Sequence, residues 1–204
     1  MSRYTGPRVR VMRALGVDLP GLSAKTSERR PYPPGQHGGN KRGRDSVFGI
    51  QLKEKQKLKM NYGLTERQMR LSIKQARRSK KNTGTRLLEL LEARLDNIVF
   101  RAGFARSIPA ARQLVNHGHF LLNGRKTDIP SAKVKVGDTI QIKEKSFGLT
   151  VVEESLKTPQ LALPEWLSFD LKSKTVTVAS EPDAESVPFP VDVQQVVEYY
   201  NSRM

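Results

Sequence analysis

Four cations, Arg70, Lys74, Arg77 and Lys81, recur at steps of three and four residues. On a helix that spacing brings them to one side, about 5 Å apart along the axis. The near absence of acids around them removes the i,i+4 ion pairs that an ordinary solvated face would carry. Such a stripe is suited to meeting an anion. A second cationic stretch, PPGQHGGNKRGR at 33–44, holds two prolines, four glycines, one histidine and three cations, with no large apolar residue. It can bury nothing and it repels itself, so it needs a partner to hold it. His117 and His119 flank Gly118, but no further ligand accompanies them, and a helix C-terminus favours histidine without any metal. With no cysteine and three histidines, disulfides and thiolate metal sites are excluded and a structural zinc is not expected. Neither a phosphate-binding P-loop nor a cysteine nucleophile nor a credibly spaced Ser/His/Asp set is found. The chemistry on offer is anion binding, with no cofactor and no small-molecule substrate.

The charge of the chain points the same way. Its net charge is +16 over 204 residues, which costs self-repulsion in isolation and attracts a nucleic acid or an anionic membrane surface. Residues 1–90 carry 22 Lys/Arg against 6 Asp/Glu, residues 91–149 carry 10 against 5, and residues 150–204 carry 4 against 9. Charge spread for solubility alone would not separate in this manner, so a basic binding half and an acidic half facing solvent or protein are expected. No apolar run approaches the roughly 20 residues of a membrane-spanning helix. The N-terminus lacks the apolar core of a secretory signal, and Gly6 and Pro7 interrupt the amphipathic helix of a mitochondrial presequence.

The elements that must position these residues are legible as periodicities. Residues 1–45 read as a basic arm ordered by contact, with one or two helical turns at VMRALGVDLPGL. A helix from about Val47 ends at Gly63, and its Lys53, Lys55, Lys57 and Lys59 lie on more than one side. Thr65 and Gln68 form a capping box, flanked by Leu64 and Met69 as a hydrophobic staple, and Met69, Ile73 and Ala76 mark the buried face of the helix that follows. KKNTGT at 80–85 reads as a loop. RLLELLEARLDNIVFRAGF reads as one long helix ending at Gly103, and SIPAARQLVNHG as another, capped by Ser107 and closed by Gly118. The period then changes to two, with a hairpin at Asn123-Gly124, a strand in VKVGDTIQIKEK and a candidate third strand in GLTVVEE. KTVTVA is a further short strand, Trp166 a packing anchor, and Val193, Val196, Val197 and Tyr200 mark a last amphipathic helix. The fold class expected is α+β.

The stretch ARLDNIVFRAGFARSIPAARQLVNHGHFLLNGRKTDIPSAKVKVGDTIQIKEK resembles the RNA-binding module named after bacterial small-subunit ribosomal protein four. That module also occurs on pseudouridine synthases, tyrosyl-tRNA synthetases and a heat-shock protein. SRYTGPR, PPGQHG, LKEKQKLKMNYGLTERQ, NTG, LPEWLSFD and VVEYYNS, in order along the chain, are similar to the ribosomal protein itself. Many members hold zinc through an N-terminal cysteine cluster; lacking cysteine, this chain resembles the metal-free branch.

The resemblance implies an organisation of four parts: a basic arm over 1–45 contacting ribosomal RNA, a helical RNA-binding domain over 46–92, the module over 93–155, and a C-terminal segment over 156–204 packing back on the helical domain. It implies binding to the 5′ domain of small-subunit ribosomal RNA, roles in assembly and translational accuracy, and neighbours that include protein five, approached by the acidic C-terminal stretch, near the path by which messenger RNA enters. The location implied is the small ribosomal subunit of the cytoplasm, or of the plastid stroma for a plastid-encoded copy. In PPGQHG, small residues let backbone N–H groups approach phosphates while Gln36 and His37 supply hydrogen bonds and Lys41, Arg42 and Arg44 supply charge. Further RNA-binding candidates are Arg3, Tyr4, Arg8 and Arg10 in the arm, the four lysines at 53, 55, 57 and 59, and Arg67, Arg70, Lys74 and Arg77. In the module they are Arg94, Arg101, Arg106, Arg112, Gln113, His117, Asn123, Arg125 and Lys126, with Arg94 and Asp96 also suited to orienting the helix pair. The alternatives are an RNA-modifying enzyme of the pseudouridine synthase type that borrows the module, for which too little chain remains, and a DNA-binding regulator, which the extended basic arm suits less well than irregular RNA.

Overall fold

The computed structural model describes residues 4–40 and 45–203. Among them are eight α-helices and five β-strands. In chain order they are α1 (Arg8–Leu15), α2 (Val47–Asn61), α3 (Glu66–Ala76), α4 (Thr83–Glu92), α5 (Leu95–Arg101), α6 (Ile108–Asn116), β1 (Phe120–Leu122), β2 (Arg125–Lys126), β3 (Thr139–Ile142), α7 (Thr150–Lys157), β4 (Leu167–Asp170), β5 (Thr175–Val178) and α8 (Val193–Asn201). The fold class is α+β, as expected. Two compact units are formed, one of Met1–Leu87 with Pro188–Met204, the other of Leu88–Val187.

In the first unit α1 starts after Pro7 and stops at Gly16, whose φ of 69° is left-handed. The following turn is anchored inward: Met12, Leu19 and Leu22 are buried, and the Gly21 N–H donates to Asn61 Oδ1 of α2 at 2.9 Å in a buried bond. α2 begins at Ser46, whose hydroxyl accepts from the Gly49 N–H at 3.1 Å. α3 carries the expected capping box, with Gln68 N–H to Thr65 Oγ1 at 3.3 Å and Thr65 N–H to Gln68 Oε1 at 3.0 Å. Met69, Ile73 and Ala76 are buried, as their spacing predicts. α8 packs on α2 within this unit. Gly84 is required where α4 meets α8, since a Cβ there would stand 2.9 Å from Val193 Cγ1.

The second unit is built on one antiparallel sheet in the order β2-β1-β3-β5-β4. Its registers, Phe120↔Ile142, Ile140↔Val176 and Leu167↔Val178, line up the buried face. Phe104, just after α5, meets Phe120 and Phe169 edge-on at 5.3 and 5.5 Å. At the β1–β2 turn Asn123 and Gly124 both have positive φ, 51° and 76°, the turn that Asn-Gly predicts.

Three expectations are corrected. Thr83–Glu92 is helical where a loop was expected to reach 85, because Asn82 Oδ1 accepts from the Gly84 N–H at 2.8 Å and caps the new helix. The long helix expected across 86–103 is two helices. Arg94 is extended (φ −78°, ψ 140°) and bridged to Lys133, while Leu95 N–H donates to Ala132 O and Val134 N–H to Ala93 O. Backbone pairing with the 130–134 loop outweighs helix propensity there. GLTVVEE does not give a strand: β3 already has β1 and β5 at its two sides, and α7 forms instead, burying Val152 and Ser155 at i,i+3.

Candidate nucleic-acid interface

The sequence treats its cations alike, whereas the structure sorts them by what they face. On α2, Lys53 pairs with Asp45, Lys55 Nζ with Glu66 at 3.1 Å, Lys57 Nζ with Glu54 at 2.6 Å, and Lys59 Nζ with Glu66 at 3.4 Å. Lys55 is buried and also lies 5.0 Å from the Tyr199 ring centroid. These four side chains are engaged within their own unit.

α3 is different. Arg67, Arg70, Lys74 and Arg77 are exposed, and only Glu66 among the acids stands on this helix. Arg77 Nη2 donates to Asn201 Oδ1 at 2.5 Å, joining the stripe to the end of α8. There Arg70, Lys74, Arg77, Arg78 and Arg203 line an open groove of ≈ 570 Å³ without a carboxylate. Arg78 and Arg203 escaped the sequence reading. Arg78 is off the spacing of the stripe and lies just past the C-cap Arg77 of α3, and Arg203 joins the groove only through the fold.

Glu66 organises the inner side of α3. Burial pushes its carboxyl up, but hydrogen bonds from Tyr200 and Lys55 and the charges of Lys55 and Lys59 outweigh that, so its pKa lies below the ordinary value. Tyr200 donates to Glu66 Oε1 at 2.6 Å. Burial first, then this bond and the Glu66 charge, push the Tyr200 phenol up.

In the arm, Tyr4, Arg8 and Arg10 are exposed, and Arg8 Nη1 donates to Leu22 O at 3.4 Å. Gln36 and His37 are exposed in a loop whose shape depends on glycine. A Cβ on Gly38 would stand 1.8 Å from Pro33 O, and Gly35 has φ 102°. Arg13, not singled out by sequence, anchors this loop by donating from Nε to Tyr32 O at 3.0 Å while its guanidinium lies 5.0 Å from the Tyr32 ring. Arg3, Lys41, Arg42 and Arg44 lie outside the described residues.

In the second unit Asp96 is fully buried and receives both Arg94 (Nε 3.0 Å, Nη2 2.8 Å) and Arg112 (Nε 3.1 Å, Nη2 2.7 Å). Arg101 is buried too, 3.5 Å from Glu92 Oε2 and donating at 2.6 Å to Ser186 O. These arginines bind protein carboxylates and carbonyls and fix α5, α6 and the 183–186 turn. Asn123 holds the hairpin, accepting from Thr139 N–H at 2.9 Å and donating to Asp138 Oδ1 at 2.8 Å. Gln113, His117, Arg125 and Lys126 are exposed, and the Lys126 side chain lies across Gly118, where a Cβ would meet its Cε at 2.6 Å. The end of α6 and the hairpin thereby form one polar, cationic surface. Arg106 is exposed and reaches Glu154 at 3.4 Å. His119 turns inward, its Nδ1 2.9 Å from Ser146 Oγ. Burial, with the positive charges of His117 and Lys143 nearby, holds it below the usual histidine range. No group of three or more metal-ligating residues is found among the described residues, and no helix there is long and apolar enough to cross a membrane.

An open cationic groove on one unit and a polar cationic surface on the other define the class: a nucleic-acid-binding protein of two units. Comparison with known proteins narrows it. Residues 3–92 match the ribosomal protein S4/S9 N-terminal domain, and residues 93–140 match the S4 domain. The chain is 60% identical to small ribosomal subunit protein uS4 of Methylobacillus flagellatus, 59% to uS4B of Nitrosomonas europaea and 51% to uS4 of Crocosphaera subtropica, each over 100% of both chains. It belongs to the uS4 family, a family of ribosomal structural proteins and not of enzymes.

Proposed function

We propose that the chain is a non-catalytic constituent of the small ribosomal subunit that binds the 5′ domain of its ribosomal RNA, supports assembly and contributes to translational accuracy. The subunit is that of the cytoplasm, or of the plastid stroma for a plastid-encoded copy. The carboxylate-free groove of Arg70, Lys74, Arg77, Arg78 and Arg203 carries this reading. Five converging cations suit the crowded phosphates of a folded RNA junction, which is recognised by shape, phosphate and 2′-hydroxyl. Filter binding of the full chain to a 5′-domain transcript tests it. Tight binding that weakens steeply with salt is expected, and equal affinity for an unrelated RNA duplex would refute the specific reading.

Protein five and the path of messenger RNA are the neighbours proposed from family resemblance. Glu181, Asp183 and Glu185 are exposed and suit a basic protein surface. A second surface is favoured by a specific observation: Val47, Phe48 and Ile50 on the first turn of α2 are 71%, 47% and 43% exposed. Beside them Phe48 stacks on Tyr199 at 6.0 Å beneath the Arg203 guanidinium, an aromatic and arginine composition typical of protein interfaces. Pull-down of small-subunit proteins by charge-reversed Glu181/Asp183/Glu185 and by Phe48→Asp separates the two. Loss with the first variant supports the acidic surface, loss with the second supports the apolar one, and full retention by both removes both surfaces.

A further inference from the structure

α3 carries one apolar residue within its cationic face. Leu71 is 57% exposed and lies about 200° round the helix from Met69, opposite the buried stripe. Arg67 stands one turn before it, Arg70 beside it and Lys74 one turn after it, and with Glu66 they line an open depression of ≈ 390 Å³. A single exposed leucine needs no explanation by itself. This one shares an open depression with three long cationic side chains, whose aliphatic stems can extend apolar surface around it while their charged ends stay in water. Glu66 does not oppose an anion there, because its oxygens accept from Tyr200, Lys55 and Lys59.

For a chain that binds ribosomal RNA, an exposed apolar side chain among cations suits a nucleotide presenting the face of its base together with its phosphates. Bases inside a duplex hide their faces in the stack, so only an unstacked nucleotide of a junction, loop or bulge fits. We propose that Leu71, with Arg67, Arg70 and Lys74, forms a subsite for one unstacked base of the bound RNA, the base covering Leu71 and the flanking phosphates meeting the cations. This rests on the ribosomal RNA reading above, which it deepens by assigning a base contact to a surface otherwise read as binding phosphates alone.

The test is filter binding of the full-length chain over a range of salt concentrations. It uses wild type, Leu71→Ser and Lys74→Ala with the intact 5′-domain transcript and with transcripts bearing a single abasic nucleotide at each unpaired junction position. Circular dichroism confirms that the exposed-site variants fold. Leu71→Ser is expected to weaken binding about five- to tenfold with an unchanged salt slope, whereas Lys74→Ala lowers the slope by about 0.7 to 0.9. One abasic transcript should weaken wild type by a similar factor and show no further loss with Leu71→Ser. Unchanged affinity of Leu71→Ser, an altered salt slope, or an equal additional loss on every abasic transcript overturns the subsite while leaving the ribosomal reading intact. Retained RNA affinity with loss of a neighbouring protein from reconstituted subunits also overturns it, in favour of a protein contact. A wild-type chain that does not prefer the transcript to a plain duplex overturns the ribosomal reading and the subsite with it.

Discussion

Charge type is written in the sequence, but the counter-charge of each side chain is not. Arg94 and Arg112 look like RNA ligands by composition, yet both guanidinium groups close on Asp96, a residue sixteen positions from Arg112. The sequence did suggest that Arg94 and Asp96 could orient the helix pair; it held no signal that Arg112 would join them. Removing one partner of a buried ion network leaves the others desolvated without compensation. Asp96→Asn is therefore expected to cost about 3 kcal/mol, measured by urea denaturation, whereas truncating exposed Arg125 should leave stability unchanged. Equal midpoints for Asp96→Asn and wild type would show that the network does not hold α5 and α6. Leu71 teaches the converse, since a leucine four residues from an arginine reads as ordinary helix until its exposure is known.

At the scale of elements, α3 was legible because its capping box and buried stripe agree. Only Arg70 and Lys74 of the expected four-cation stripe stand on it: the helix ends at Ala76, Arg77 is its C-cap, and Lys81 lies past it in the 79–81 bend. The α4–α5 junction was not legible, because the bonds that interrupt it come from 130–134, far along the chain. The junction of α2, α3 and α8 was equally hidden, and it has a pH signature. Glu66 has a folded pKa below its unfolded value near 4.5, so its stabilisation is complete above that value and is lost as pH falls through the folded pKa. Tyr200 is raised above its unfolded value near 10.0, so its contribution is complete below that value and is lost as pH rises through the folded pKa. The stability difference between wild type and Glu66→Gln should be level across neutral pH and close below about pH 4.5. Thermal melts in a pH series check this, and a difference that persisted unchanged into acid would show that Glu66 ionisation plays no part.

For the whole molecule, net charge predicted a polyanionic partner, and the distribution of that charge placed it in the N-terminal half. The structure divides this half further, between lysines of α2 neutralised by Asp45, Glu54 and Glu66 and the carboxylate-free groove beside α3. Salt dependence of RNA binding separates the two sets. Arg70→Ala should lower the slope of log affinity against log salt by about 0.7 to 0.9, while Lys57→Ala changes stability and leaves the slope within error. Identical slope changes for both would show that phosphates compete successfully with Glu54. The sequence alone determined the partner class, the α+β composition, the caps and the Asn-Gly turn, because these rest on residue chemistry and short-range periodicity. Tertiary structure alone decided where the long helix breaks, that β5 and not residues 148–154 lies beside β3, and which cations stay open to a ligand. Those outcomes depend on side chains and backbone groups tens of residues apart finding one another, and no local pattern encodes such meetings.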